Sequence, residues 1–287
     1  MKLQAIKWFG GKGRMLIKIL PLMSDIPHER YIEVFGGGCS LLLNKPIKPF
    51  ECYNDIDNGL YNFFSVLSDP DLFDQFYRRV GLLPYCRQLY LDCREGWNTE
   101  NDPVKRAAMW YVVARQSFGG DFGHSWGSVT TSIGGGMPMT NQTWLSSLKK
   151  LPFIHERLQR VQIENSDFRD ILERYDGKDA LFYLDPPYVA DTRSAGQYKH
   201  ETTDQDHRDM VDILLSIEGN AIVSGYDSNI YNPLIEAGWK KVEFDVACFA
   251  AGRTKTSGLQ GKGAIIDKQK RTECAWIKPH GIAGGLF

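Results

Sequence analysis

The segment Ala180-Leu181-Phe182-Tyr183-Leu184-Asp185-Pro186-Pro187-Tyr188 decides the fold. Its first five residues carry no charge, which is typical of a strand that is buried on both faces of a parallel sheet. Asp185 follows directly, at the carboxyl end of the predicted strand, where open α/β sheets bind ligands. Pro186 and Pro187 fix two φ angles and remove two backbone donors, so the loop is stiff and presents carbonyl acceptors. The segment predicts an α/β fold with a site at Asp185; the alternative is an incidental Pro-Pro turn after a buried strand.

Residues 185 to 188 carry the groups that activate an exocyclic amino group of a nucleobase. Such an amine is a poor nucleophile because its lone pair is delocalised into the ring. The Asp185 carboxylate and the Pro186 carbonyl can each accept an N–H, and Tyr188 can stack on the base. We therefore interpret Asp185, Pro186 and Tyr188 as catalytic residues for methyl transfer to adenine N6. S-adenosylmethionine would be the methyl donor, and catalysis would rest on positioning and electrostatics without a metal.

Methylation of cytosine C5 is a less favoured interpretation. That reaction requires a cysteine nucleophile, which commonly follows a proline in those enzymes. None of the six cysteines in this chain follows a proline. The sequence therefore favours transfer to an amino nitrogen.

A second motif, YIEVFGGGCSLLL, spans Tyr31–Leu43. Its glycines allow the backbone to turn sharply after a strand and to approach a ligand closely. A dinucleotide-binding fingerprint would need glycine where Leu41 stands, so NAD binding is not favoured. The next predicted strand ends before Asp55, about 20 residues past the glycines, where related sheets place the acid that binds a ribose diol. The alternative role for Asp55 is the N-cap of the following helix.

The N-terminal motif is Lys7-Trp8-Phe9-Gly10-Gly11-Lys12, which precedes the amphipathic stretch Met15–Met23. Two glycines between aromatic and lysine residues predict a tight loop before a helix, which suits an anion or a carboxylate. Basic N-termini are also common as solvated segments, and that alternative stays open for this motif alone.

Taken together, these motifs resemble the Dam-like DNA adenine-N6 methyltransferases of the D12 class, with the motif order of the α type. The resemblance implies a Rossmann-like fold that binds S-adenosylmethionine. Its matches span Lys7–Lys12, Glu33–Asn44, Asn54–Asp57, Asn165–Asp170 and Leu184–Tyr188. The cofactor contacts it implies are Trp8, Lys12, Phe35, Gly36, Gly37, Asp55, Asp167, Phe168 and Asp185, with Ser166-Asp167-Phe168 along the cofactor adenine. One departure is Cys39, which stands where the family has its second loop glycine.

Hydrophobic periodicity predicts alternating strands and helices with one long interruption. The predicted strands are Tyr31–Phe35, Phe50–Asn54, Gln162–Glu164, Ala180–Asp185, Asn220–Ser224, Lys240–Val246 and Glu273–Lys278. Between residues 69 and 160 the strand signals fade and helices such as Val104–Gln116 predominate. We expect residues 1–68 and 161–287 to form a catalytic domain, with a mostly helical target-recognition insert at 69–160.

The insert carries the features expected of a DNA-binding element. Residues 104–163 hold seven Lys and Arg residues against Asp121 and Glu156, and residues 240–279 are also basic. The stretch 118–138 is rich in glycine and aromatic residues, which predicts a hairpin or loop that enters a DNA groove; a disordered surface loop is the alternative. The candidate DNA contacts are Arg115, Phe118, His124, Lys149 and Lys150. Arg115 would read a guanine or a phosphate and Phe118 would fill the stack vacated by a flipped base, although either residue could instead be a packing or surface residue.

Composition is consistent with this interpretation but does not identify a partner. The 287 residues have a formal net charge of −1, and no apolar run is long enough for a membrane span. The cysteines show no C-x-x-C pair, which argues against structural zinc and suits a reducing compartment. We expect a cytoplasmic monomer that acts on double-stranded DNA, with or without a cognate restriction enzyme. The remaining alternatives are methylation of RNA adenine or of cytosine N4 in DNA, and an inactive DNA-binding homologue.

Overall fold

A computed structural model describes residues 1–8, 10–189, 202–247 and 270–279. The strands are β1 (Arg30–Glu33), β2 (Phe50–Asn54), β3 (Ile133–Gly134), β4 (Met137–Pro138), β5 (Gln162–Glu164), β6 (Ala180–Leu184), β7 (Asn220–Tyr226), β8 (Lys240–Ala247) and β9 (Lys270–Ile277). The helices are α1 (Leu16–Ser24), α2 (Asn58–Ser68), α3 (Pro70–Gly81), α4 (Arg87–Gly96), α5 (Pro103–Gln116), α6 (Met139–Leu148), α7 (Leu151–Leu158), α8 (Phe168–Tyr175), α9 (Asp204–Ser216) and α10 (Asn232–Glu236).

The main sheet has seven strands in the order β5-β2-β1-β6-β7-β9-β8. The first five are parallel to their neighbours, whereas β9 runs antiparallel to both β7 and β8. Glu33, at the end of β1, lies opposite Tyr53 of β2 and Tyr183 of β6, so the loops after these three strands leave the same edge of the sheet. The prediction of a mixed α/β fold with a mostly parallel sheet is confirmed, and each predicted strand is present with ends that differ by a few residues.

Side chains of the central strands alternate between two hydrophobic clusters, one on each face of the sheet. Along β6, Leu181 and Tyr183 belong to one cluster, and Phe182 and Leu184 belong to the other. Helices α1 to α7 contribute to the first cluster, and α8, α9 and α10 contribute to the second. Both faces of the sheet are therefore covered, which explains the uninterrupted apolar sequence of β6.

Helix α9 begins as its sequence predicts. The Thr203 side chain caps the helix, and Asp206 accepts a hydrogen bond from the Thr203 backbone, which completes a capping box. This arrangement fixes the position of Thr202, which immediately precedes the cap.

Residues 69–160 are mostly helical and share the first hydrophobic cluster with α1, α2 and the sheet. The glycine-rich stretch within them forms the two-residue strands β3 and β4, joined through Gly135 and Gly136. Both glycines have positive φ, at 58° and 75°, as a tight hairpin turn requires. Of the two shapes expected for this stretch, a hairpin is therefore present. The division of the chain into a catalytic domain and a recognition insert stays a prediction.

A buried ionic cluster links α7 to the sheet and to the segment that follows the glycine loop, Gly36-Gly37-Gly38. Arg157 donates to both Glu51 oxygens of β2, at 2.5 and 2.8 Å, and to the Leu42 carbonyl at 2.9 Å. Lys45 also contacts the Glu51 carboxylate. Because Leu42 follows the glycine loop, Arg157 holds the end of that loop against α7.

No helix in the described part of the chain is long and apolar enough to cross a membrane. The second basic stretch, residues 240–279, lies largely outside the described residues, as does Phe9 of the N-terminal motif.

Candidate active site

The glycine loop after β1 requires glycine at two positions. A Cβ on Gly36 would lie 2.1 Å from the Tyr53 ring, which is closer than atoms can approach. Gly37 has a φ of 47°, and a Cβ there would lie 3.0 Å from the Trp8 indole. The N-terminal motif therefore packs directly on the glycine loop, and together they form one wall of the site.

Lys12 and Asp185 form a buried ion pair between the N-terminal loop and the carboxyl end of β6. The Lys12 Nζ lies 2.6 Å from Asp185 Oδ1, and the two side chains are only 5% and 15% exposed. Lys12 also donates to the Tyr188 hydroxyl at 2.6 Å, and its ammonium lies 4.9 Å from the centre of that ring. The structure thus brings together one predicted cofactor residue and two predicted catalytic residues.

The electrostatics of this pair favour an ionised Asp185 near neutral pH. Burial raises the pKa of Asp185 to about 6, against the opposing effect of the Lys12 ammonium. Burial alone would lower the pKa of Lys12, but the Asp185 carboxylate raises it above its ordinary value. Lys12 therefore stays a cation near neutral pH, beside a carboxylate whose pKa is about 6.

Tyr188 is only 7% exposed, and its ring contacts Tyr226 edge-on with 4.5 Å between ring centres. A base that stacks on Tyr188 therefore has to displace a neighbour from it. The stacking role stays a prediction.

Two adjoining cavities open along the carboxyl edge of the sheet. The smaller one is lined by the N-terminal loop, the glycine loop and Asp185. The larger one, of about 430 Å³, extends past Phe35 and Asp55 to Asp167 and Phe168. Trp8, Phe35 and Gly37 line both cavities. All the residues for which the sequence predicts a cofactor contact therefore line one or both of these two cavities, which together are the candidate cofactor groove.

Asp55 lies at the end of β2 with both carboxylate oxygens on backbone N–H groups. Oδ2 accepts from Gly37 at 2.8 Å and Oδ1 accepts from Asp57 at 2.9 Å. Burial raises the pKa of Asp55 to about 6, against the opposing effect of these two hydrogen bonds. The alternative that Asp55 is the N-cap of α2 is wrong, because Asp57 accepts from Gly59 and Leu60 and is the cap. Asp55 lines the larger cavity instead.

Asp167 and Phe168 begin α8 at the far end of the larger cavity. The Asp167 carboxylate caps the helix by accepting from the Arg169 backbone at 2.9 Å, and it also pairs with the Arg169 guanidinium at 3.2 Å. The Phe168 ring lies 5.6 Å from the Phe35 ring and 4.4 Å from the Arg169 guanidinium. The Phe35 and Phe168 rings form an aromatic wall, while Asp167 already serves as a helix cap.

Glu33 is a site residue that the sequence motifs did not reveal. It lies at the end of β1, is 3% exposed and lines the smaller cavity. Its Oε2 accepts from the Tyr31 hydroxyl at 3.0 Å and from the Leu42 backbone at 2.9 Å. Burial raises the pKa of Glu33 to about 8, against the opposing effect of these donors. A charged residue inside the apolar run YIEVF was the available signal.

Cys39 adopts the left-handed backbone conformation, with a φ of 56°. Its side chain is fully buried, and burial raises the pKa of its thiol well above the ordinary value. Cys39 replaces the glycine of the family pattern but keeps the left-handed backbone conformation that glycine favours.

Arg115 and Phe118 lie together at the end of α5. Phe118 is 61% exposed and follows Ser117, whose backbone bridges to Trp126 across a closed loop. The Arg115 Nε is buried and has no hydrogen-bond partner among the described residues. Burial and the nearby Arg115 charge both lower the pKa of Lys7, a residue with no predicted role. Neither cation forms an ion pair with a described carboxylate, so two positive charges are held close to this exposed loop.

The other candidate DNA contacts are His124 and the adjacent residues Lys149 and Lys150. His124 is 73% exposed and lies 3.7 Å from the Asp121 carboxylate. Lys149 is exposed, whereas the Lys150 Nζ donates to the Lys2 carbonyl at 3.3 Å. DNA contacts by these residues stay predictions.

The residues within the described ranges show no cluster of His, Cys, Asp and Glu that could hold a metal ion. The five described cysteines are all free thiols.

Known proteins with similar sequences include DNA adenine methylases and a modification methylase. Over 238 residues the chain is 24% identical to the DNA adenine methylase of Salmonella typhi, and the match covers 78% of this chain and 80% of that protein. It is 26% identical over 192 residues to the DNA adenine methylase of Vibrio cholerae, covering 64% of each. It is 22% identical over 223 residues to modification methylase StsI of Streptococcus sanguinis, covering 73% of this chain and 32% of that protein.

The family model for D12 class N6 adenine-specific DNA methyltransferases matches residues 8–244, which contain the glycine loop, Asp55 and the Asp185–Tyr188 loop. The chain belongs to this family of DNA methyltransferases.

Proposed function

We propose that the protein transfers a methyl group from S-adenosylmethionine to N6 of an adenine that is flipped out of double-stranded DNA. The observation that carries this proposal is the Lys12–Asp185 pair at 2.6 Å, which places a buried carboxylate in the wall of the smaller cavity. Membership of the D12 family supports adenine as the target base. The order of the parallel strands with the reversed strand β9 supports a Rossmann-like methyltransferase fold.

The groove fits S-adenosylmethionine by the chemistry of its walls. We propose that Asp55 accepts from the ribose hydroxyls, because it lines the larger cavity with a carboxylate. Phe35 and Phe168 would hold the adenine of the cofactor between apolar surfaces, with Asp167 beside them. The amino-acid end would be held by the residues of the smaller cavity, where the glycines leave room for close approach: Trp8, Lys12, Gly36 and Gly37. When bound, the cofactor supplies an electrophilic methyl group.

Asp185 is the residue that activates the target amine. Its carboxylate and the Pro186 carbonyl would accept the two N6 hydrogens, which draws the nitrogen lone pair out of the ring. The amine loses one proton when it is methylated. Asp185 is placed to accept that proton because its pKa of about 6 lies close to neutrality. Lys12 holds the carboxylate in the charged form that this role needs.

The region 69–160 supplies most of the contacts to DNA in this proposal. Arg115, together with Lys7 beside it, would bind an anionic or acceptor-rich edge of the duplex, since neither is neutralised by a described carboxylate. The exposed Phe118 ring would occupy the space that the flipped base leaves. Lys149 would contact phosphates. A monomeric, cytoplasmic enzyme, with or without a cognate restriction enzyme, remains a prediction.

The experiment that tests this function measures transfer of a labelled methyl group to duplex oligonucleotides by the purified protein. Asp185→Asn keeps the size of the side chain but removes its charge, and we expect it to lower the rate on the order of 10² to 10³-fold. DNA binding should be largely retained, because Asp185 would contact only the target adenine and the proposed contacts of residues 69–160 are unchanged.

The matched control is Asp212→Asn, an aspartate on the exposed side of α9, which should stay within twofold of the wild type. Activity of Asp185→Asn within threefold of wild type would reject the assignment.

A further inference from the structure

Three consecutive hydrogen bonds connect Tyr231 to the catalytic loop, residues 185–188. The Tyr231 hydroxyl lies 2.9 Å from His207 Nδ1, and His207 Nε2 lies 3.1 Å from the Thr202 hydroxyl. That hydroxyl donates to the Pro187 carbonyl at 2.7 Å. His207 and Tyr231 are each 1% exposed, so the bond between them forms away from bulk water, whereas the two bonds of Thr202 are partly buried. The series of bonds ends on the third residue of Asp185-Pro186-Pro187-Tyr188.

The direction of each bond follows from hydrogen counting. A carbonyl can only accept, so the single hydroxyl hydrogen of Thr202 goes to Pro187. Thr202 then accepts from His207, which places the proton of the neutral imidazole on Nε2. Nδ1 is left as an acceptor for the Tyr231 hydroxyl. For a neutral His207 the arrangement therefore specifies one tautomer and one orientation of the Thr202 hydroxyl, whereas a doubly protonated ring would donate to both hydroxyl oxygens.

Packing against β9 and the start of α9 fix the positions of Tyr231 and His207. Tyr231 packs on Trp276 of β9, with 4.3 Å between ring centres. His207 lies in the first turn of α9, and the capping box at Thr203 fixes the start of that helix. Thr202 and Pro187 both line the larger cavity. The three bonds thus join a wall of the proposed cofactor groove to the loop that carries Asp185.

The Asp185 carboxylate also affects the ionisation of Tyr231 at the far end of the three bonds. Burial raises the pKa of Tyr231, and the Asp185 carboxylate raises it further. The Tyr231 phenol therefore stays protonated near neutral pH and remains a donor to His207.

We propose that His207 is a positioning residue that acts through Thr202 to hold the Pro187 carbonyl, and with it the loop 185–188, in the geometry for methyl transfer. The kinetic part of this inference rests on the proposed function. Its structural part, the tautomer and the bond to Thr202, does not.

Two pairs of substitutions test the kinetic part. Thr202→Val keeps the shape of the side chain and removes the hydroxyl, whereas Thr202→Ser keeps the hydroxyl. We expect Thr202→Val to lower kcat about tenfold, since the hydrogen bond to the Pro187 carbonyl is lost, and Thr202→Ser to stay within about twofold. His207→Leu should resemble Thr202→Val, and His207→Gln, which can donate and accept, should recover part of the loss. Measurement at saturating cofactor and DNA, with cofactor Kd determined by calorimetry, separates kcat from binding.

The double variant Thr202→Val/His207→Leu distinguishes one linked series of bonds from two independent supports. If both residues act through the Pro187 carbonyl, the double variant should be no slower than the slower single variant. Losses that multiply would overturn the inference, as would a kcat for Thr202→Val within twofold of wild type. The matched control is His28→Leu, a buried histidine that precedes β1. It should lower the thermal midpoint without a change in kcat.

Nitrogen NMR of ¹⁵N-histidine-labelled protein tests the structural part without any activity. We expect the His207 resonances to show a protonated Nε2 and an unprotonated Nδ1, and Tyr231→Phe to shift the Nδ1 signal. A proton on Nδ1, either alone or together with one on Nε2, would overturn the hydrogen-bond scheme. If the wild-type protein failed to methylate DNA while this tautomer was present, the proposed function would fail and the hydrogen-bond scheme would stand.

Discussion

Lys12 and Asp185 come from distant parts of the sequence, yet the Lys12 ammonium lies 2.6 Å from the Asp185 carboxylate. The contact brings the N-terminal loop over the carboxyl end of β6 and closes one side of the smaller cavity. Breaking a buried pair leaves an uncompensated charge, which costs several kcal/mol, so the two residues are expected to act as a unit. The N-terminal motif is therefore part of the candidate active site.

The first prediction concerns the pH dependence of methyl transfer. Asp185 has to be ionised to accept from the target amine, and its pKa is about 6. We expect kcat/KM of the wild type to fall as the pH drops through about 6. Lys12→Met removes the opposing cation, raises the pKa of Asp185 further and moves this fall to higher pH. The control is Lys178→Met, at an exposed surface lysine. An unchanged profile in Lys12→Met would show that Asp185 is not the titrating group.

The second prediction separates the ring of Tyr188 from its hydroxyl. Tyr188→Phe loses the hydroxyl that accepts from Lys12 and that lowers the pKa of Asp185 through a hydrogen bond. The Lys12–Asp185 pair is kept, so we expect the rate of methyl transfer to fall only a few-fold. Tyr188→Ala also loses base stacking, worth about 1–3 kcal/mol, and should be at least tenfold slower than Tyr188→Phe. Single-turnover rates measure both, with Tyr61→Phe and Tyr61→Ala as surface controls. Equal single-turnover rates for Tyr188→Phe and Tyr188→Ala would mean that the hydroxyl, and not the ring, supports methyl transfer.

The third prediction concerns Cys39. Both Cys39→Gly and Cys39→Ala remove the buried sulfur, but only glycine relieves the left-handed backbone conformation at a φ of 56°. We expect the glycine variant to be more stable than the alanine variant by about 1 kcal/mol in urea unfolding. Cofactor affinity should follow the same order, because residue 39 ends the glycine loop. An alanine variant that is the more stable of the two would mean that packing outweighs backbone strain here.

The fourth prediction addresses DNA recognition. If Arg115 reads a base, Arg115→Ala should relax discrimination at one base pair by about 1–3 kcal/mol. Lys149→Ala should instead weaken binding to all sequences and flatten its salt dependence. Methylation of a panel of sites, with binding measured at two salt concentrations, distinguishes the two effects. A uniform loss across all sites in Arg115→Ala would make Arg115 a phosphate or packing residue.

The strands and the edge of the sheet that carries the site could be predicted because their signals are local. The apolar run before Asp185 predicts a buried strand, and the glycines after β1 predict a sharp turn. Both predictions depend only on neighbouring residues. The N-cap of α2 could not be resolved in the same way, since Asp55 and Asp57 both precede the helix and only the fold shows that Asp57 caps it.

The contacts that complete the site depend on long-range packing. Nothing local in the sequence brings Lys12 to Asp185, or His207 through Thr202 to Pro187. Predicting such pairs requires the three-dimensional arrangement of segments that are far apart in the sequence.

The most direct test of the central claim expresses the wild-type protein and Asp185→Asn in a methylation-deficient bacterial host and maps modified bases in the host DNA. We expect N6-methyladenine within one recognition sequence in the wild-type strain and none above background with Asp185→Asn at equal protein level. Absence of N6-methyladenine in the wild-type strain, or a modification confined to cytosine, would contradict the proposed function.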